Sequence, residues 1–140
     1  MLKVYSDFSL LFQRWFNELV NDENLNIKLD YDFSPLIIQN GYETDYDFLS
    51  GGEKTGAALA YRLSLNQVIN NLMSNLKTSD LLILDEPTDG FSSEQLDRLR
   101  NVLNQLNIKQ VIIVSHEAKI ESFVDNIIRF NKINHVTEVN

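Results

Sequence analysis

The sequence predicts an α/β fold, a mostly parallel sheet flanked by helices. Two observations lead there. The runs "LLIL" at 81–84 and "VIIV" at 111–114 are apolar without alternation, as strands covered on both faces would be. Segments of helical period precede and separate them, an order that makes parallel crossover connections. At 140 residues the chain has room for one domain with a real core.

Taken in order, residues 3–21 read as an amphipathic helix. Val4, Phe8, Leu11, Trp15 and Leu19 share one face, which Phe12 and Phe16 widen. This face packs on the domain's own core, or it is the stump of something longer and seats a partner. Strands are expected at Ile27–Tyr31 and Leu36–Gln39, joined by a turn at Ser34-Pro35, with polar loop over 42–48. From Glu53 to about Leu76 the pattern is helical, with Ala58, Tyr61, Leu65, Val68, Ile69, Leu72 and Leu76 as its apolar stripe. A strand over 81–86 and a helix over 93–106 follow. Ser92 and Gln95 are spaced for a capping box. The strand at 110–116, a short helix at 117–124, and strands at 126–130 and 135–139 complete the chain.

Composition narrows the chemistry. With no cysteine, disulfides and Cys-ligated zinc are excluded and an intracellular setting is expected. Two histidines do not complete a structural metal site. The net charge of −8 gives no general attraction to DNA, so positive charge for such a partner must come from a local patch or another chain. No apolar run approaches the roughly 20 residues of a membrane span.

Three motifs fall at carboxyl ends of strands or in a neighbouring loop, where α/β sheets bind ligands. "FLSGGEKTG" at 48–56 invites the label of phosphate loop, but G-x-x-x-x-G-K-[S/T] would need glycines where Phe48 and Glu53 stand. What remains, Leu49-Ser50-Gly51-Gly52-Glu53, opens a long helix. Such a start is either an anion site built on free backbone N–H groups or a plain capping box from Ser50 to Glu53. In "LLILDEPTDG", two acids end a buried strand and point in opposite directions. Asp85 suits a Mg²⁺ ion held through water, and Glu86 suits orienting or deprotonating an attacking water. The bland alternative is a surface pair beside the Pro87 turn. His116, ending "VIIVSH", is a structural hydrogen-bonder unless its strand lies beside the Asp85-Glu86 strand.

Together "LSGGE", "LLILDEPT" and "VSH" resemble the C-terminal lobe of an ABC-type (P-loop) ATPase, over residues 49–116. The resemblance implies that Leu49–Glu53 is the signature motif, with Ser50, Gly51, Gly52 and Glu53 contacting nucleotide. It makes 81–86 the Walker B motif, 88–92 the D-loop with Thr88, Asp89 and Gly90, and His116 the switch histidine beside a catalytic Glu86. The run "EKTGAALAYRLSL" after the signature is similar to SMC-like DNA-repair ATPases, and "DEPT" to the coiled-coil ATPase of the double-strand-break repair complex. The family's D-loop commonly ends in Asp, where this chain has Ser92.

The resemblance further implies that residues 1–140 are one lobe of a split domain. The Walker A lobe is absent from this sequence, and the helix over 3–21 is the root of a coiled coil. There Phe8, Phe12 and Trp15 would meet a break-processing nuclease. The implied partners are the Walker A lobe, a second copy of the complete ATPase, the nuclease and double-stranded DNA, with ATP and Mg²⁺ as cofactors and no membrane. Hydrolysis would need both lobes and dimerisation, in the cytoplasm or nucleoid. The alternatives are a chromosome-organising or recombination SMC ATPase and a non-catalytic interaction module.

Overall fold

Helix α1 (Leu2–Val20) begins the architecture seen in a computed structural model, which describes residues 2–72, 81–106, 108–133 and 136–139. It buries Phe8, Phe12, Trp15, Phe16 and Leu19 at helical spacing against the rest of the chain. Each such side chain contributes about 1.5–3 kcal/mol by leaving water. Phe8 and Phe12 meet the Tyr61 ring edge-on, at centroid distances of 4.8 and 5.4 Å. Trp15 Nε1 donates to Gln67 Oε1 at 2.7 Å, so the buried indole keeps a polar partner.

Next comes an antiparallel sheet of β1 (Leu25–Leu29), β2 (Pro35–Gln39) and β3 (Tyr42–Thr44). In β1, Leu25, Ile27 and Leu29 face the core in strict alternation. The strand ends at Leu29, before the expected Tyr31, because Asp30 Oδ1 accepts from the N–H groups of Asp32 and Ser34, both at 2.8 Å, and turns the chain. The expected loop over 42–48 holds β3 and a 3-10 turn, Tyr46–Phe48. Asn40 and Gly41, at φ 51° and 85°, form the two-residue hairpin that pairs Gln39 with Tyr42.

Helix α2 (Gly51–Leu72) starts two residues before the expected Glu53; residues 73–76 of the expected helix, Leu76 among them, lie outside the described residues. Only part of the expected stripe faces inward: Val68 is buried and Tyr61 packs on Phe8 and Phe12. Gly56, Ala57, Leu59, Ala60, Leu63, Ser64 and Val68 face inward, while Ala58, Leu65, Ile69 and Leu72 are exposed. The C-terminal end of α1 demands a small neighbour: a Cβ at Gly56 would lie 2.8 Å from Val20 Cγ2. The Ser64 hydroxyl donates to the Ala60 carbonyl at 2.7 Å, which satisfies it in the core.

Strand β4 (Leu81–Asp85), helix α3 (Ser93–Gln105) and strand β5 (Gln110–Val114) form a strand–helix–strand unit with β4 and β5 parallel. Ser92 caps α3 in the predicted capping box with Gln95. The short helix expected at 117–124 is a 3-10 helix over Ala118–Phe123. The final strands are β6 (Phe130–Ile133) and β7 (Val136–Val139), an antiparallel pair; 126–129 are not strand, and His135 lies outside the described residues.

Two expectations about the sheet are corrected. Among the described residues only β4 and β5 pair in parallel, so the chain's own sheets are mostly antiparallel. Nor is this pair covered on both faces. Leu82 and Leu84 are buried, but Leu81, Ile83, Ile112 and Val114 are 42, 61, 42 and 51% exposed. The register places these four on one face, in which Asp85 continues the β4 row beside Val114. The unbroken apolar runs reflect two faces that can be buried, of which this chain covers one.

Candidate functional site

The predicted residues gather in two clusters joined by the turn after β4. The first lies at the carboxyl ends of β4 and β5. The Glu86 N–H donates to the Val114 carbonyl at 2.9 Å, holding Glu86 at φ 43°. A non-glycine residue in that region is uncommon and strained, and the parallel strand fixes it there. The turn breaks the strand's alternation, so the expected opposite pointing of Asp85 and Glu86 does not follow from the pleat. Glu86 Oε2 lies 3.0 Å from His116 Nδ1, which unites the two residues the sequence analysis named as catalytic. This hydrogen bond and the negative charge of Glu86 raise the imidazole above its ordinary range, with smaller effects of Glu117 and Asp89. Thr88, fully buried, sets its Oγ1 3.4 Å from Ser115 Oγ and ties the two strand ends together beneath the site. Asp85 is exposed and makes no hydrogen bond or ion pair among the described residues. A free, exposed carboxylate is the hard oxygen donor that Mg²⁺ prefers.

The second cluster is the start of α2 with the D-loop. Ser50 and Glu53 form a reciprocal capping box: the Ser50 N–H donates to Glu53 Oε2 at 2.7 Å, and the Glu53 N–H to Ser50 Oγ at 3.3 Å. The plain cap is therefore present. Beside it Gly51 faces open space among the described residues, which leaves room for an anion at this helix start. Gly52 faces inward. A Cβ there would meet Gln95 Oε1 at 2.5 Å and the Gly90 carbonyl oxygen at 2.8 Å. Gly90, at φ 75°, packs on the backbone of Gly51 and Gly52. Lys54 folds back instead of serving a phosphate loop, donating to the Asp47 carbonyl at 3.1 Å. Ser92, at the usual D-loop Asp position, is occupied as the cap of α3.

One group of predicted residues is not at any surface. Phe8, Phe12 and Trp15 are 2, 0 and 1% exposed, so they are core and cannot be the side chains offered to a nuclease. Leu2 and Leu10 are the large apolar residues that α1 leaves in water. Sequence reasoning also missed what Gln95 does beyond its cap: its Nε2 donates to the Gly52 carbonyl at 3.3 Å, 43 positions away.

Among curated proteins, the chain is 37% identical over 105 residues to the DNA double-strand break repair Rad50 ATPase of Thermococcus kodakarensis, and 32% identical over 129 residues to that of Pyrococcus abyssi. These alignments span 74 and 91% of this chain but 11 and 13% of the relatives, so the chain corresponds to a small part of their length. Among solved structures, a chain from a study of ATP-driven dimerisation and DNA-stimulated activation of SMC ATPases superposes with a TM-score of 0.75 at 18% identity. The match covers 99% of this chain and 85% of that one. The fold is thus α/β and ABC-ATPase-like. No family model matches.

Proposed function

We propose a role for this chain from the premise that it belongs to the Rad50-type family of SMC-like ATPases. It is one lobe of an ATP hydrolase of DNA double-strand-break repair, completed by a lobe carrying Walker A. The observation that carries this reading is the bare apolar face of β4 and β5, ending in Asp85. Four aliphatic side chains left in water beside a free carboxylate fit a face that another lobe covers, bringing phosphate to the strand ends.

Asp85 would hold Mg²⁺ through water, and the ion would neutralise charge on the phosphates. Glu86 accepts the proton of the attacking water or orients it. His116, donating Nδ1–H to Glu86, positions that carboxylate and, in the protonated form that Glu86 favours, offers Nε2–H to the γ-phosphate. Ser50, Gly51, Gly52 and Glu53 serve a different nucleotide, the one held by a second copy of the ATPase, with Thr88, Asp89 and Gly90 at the same seam. Binding at this helix start requires phosphate to displace the Glu53 carboxylate from the Ser50 N–H. ATP then closes the dimer by contacts made only in the closed state, and hydrolysis opens it. Helix α1 is the coiled-coil root, and its outward side with Leu10 is the seat for the nuclease. Double-stranded DNA binds across the closed dimer inside the cell, with its positive partner charge drawn from the other lobe, since this chain carries −8.

The test uses the complete ATPase. Glu86→Gln should bind ATP yet turn over more slowly by orders of magnitude, and Ser50→Arg should abolish ATP-driven dimerisation. Robust hydrolysis by the isolated 140 residues would overturn the split-lobe reading.

A further inference from the structure

Gln95 makes three hydrogen bonds that no local motif requires together. Its backbone N–H donates to Ser92 Oγ at 3.2 Å, and its Oε1 accepts from the Ser92 N–H at 3.0 Å; these close the capping box. Its Nε2 donates to the Gly52 carbonyl at 3.3 Å. In a helix that carbonyl already takes the N–H four residues on, so the amide uses its second lone pair. The contact adds nothing to helix formation; it fixes where the first turn of α2 sits relative to α3. The fit leaves no slack, because Gln95 and the Gly90 carbonyl together fill the space a Cβ at Gly52 would need.

We propose that Gln95 is a positioning residue of the nucleotide site: its side-chain amide anchors Gly52, so that the first turn of α2 is held against the D-loop in the orientation that receives phosphate. Gln95 touches no nucleotide itself. The inference rests on the reading of Ser50–Glu53 as a phosphate-binding helix start, and it assigns the part of that geometry lying outside the motif.

Glutamate at 95 separates anchoring from capping. It accepts from the Ser92 N–H as glutamine does and completes a capping box, but it has no N–H to give Gly52. In the full-length ATPase, Gln95→Glu should lower thermal stability only by the loss of that one hydrogen bond, less than Gln95→Ala does, and leave ATP binding by the undimerised protein unchanged. The ATP concentration for half-maximal dimerisation should rise about tenfold. Hydrogen exchange should quicken in the peptide over 50–56 and not in α3. Gln95→Ala, which loses cap and anchor, should loosen both. Wild-type dimerisation by Gln95→Glu, with Ser50→Arg abolishing it, overturns the role of Gln95 alone. Dimerisation surviving Ser50→Arg overturns the reading beneath it as well.

Discussion

Replacing Gly52 with alanine tests the seam between α2 and the D-loop. The new methyl would sit 2.5 Å from Gln95 Oε1 and 2.8 Å from the Gly90 carbonyl oxygen, both closer than real contacts allow. Gln95 can swing away only by giving up its bonds to Ser92 and Gly52, each worth about 0.5–1.5 kcal/mol. The Gly90 carbonyl is backbone, in a residue already at φ 75°, and must shift as well. Against this stands the helix preference of alanine over glycine, at most about 1 kcal/mol. The net loss is about 1–2 kcal/mol, or roughly 3–8 °C in Tm for a domain of this size. Circular dichroism melts of the wild type, Gly52→Ala, Gln95→Ala and the double variant read it directly. Because the two positions share one contact, the double variant should lose less than the sum. A Tm for Gly52→Ala equal to or above wild type, or strict additivity, would refute the packing argument.

Three further outcomes follow from burial and charge. Phe12→Ala should cost about 3–5 kcal/mol in urea unfolding, as a buried aromatic does; a loss under about 1 kcal/mol would return Phe12 to the surface role first expected of it. Leu84→Ala should cost about 2–5 kcal/mol while Ile83→Ala costs under about 0.5 in the isolated lobe, yet Ile83→Ala should weaken capture of the Walker A lobe. Equal stability losses would mean that both strand faces are covered. The His116 imidazole should titrate above about 6.5 by NMR and fall toward that value in Glu86→Gln. Its folded value lies above that of the unfolded chain. The pair therefore stabilises fully below about pH 6.5 and is lost as pH climbs through the raised value. An unmoved midpoint in Glu86→Gln would sever the link.

The motifs were legible because their chemistry is local. Ser92 with Gln95, and Ser50 with Glu53, form their boxes over three residues, and an aliphatic run ending in Asp85-Glu86 needs no distant partner to be recognised. Asn40-Gly41 carried an equally local hairpin signal that the polar residues around it obscured. The inward side of α2 was not legible, since periodicity finds an apolar stripe without telling whether a neighbour wants Leu65 or Gly56. Whether Phe8, Phe12 and Trp15 served the core or a partner was not legible, because Tyr61 and Gln67, which receive them, stand about fifty positions along the chain. The bond from Gln95 to Gly52 depends on tertiary approach and leaves no pattern along the chain.

The open face of β4 and β5 has a consequence for how cells handle this polypeptide. Among the described residues the outer edges of both strands are unpaired and four aliphatic side chains are exposed, the surface that templates strand addition and clumping. While that face is uncovered, it should mark the polypeptide for chaperones and proteases. The polypeptide's lifetime in the cell should then depend on how long that face stays bare, and not on the stability of its own core alone.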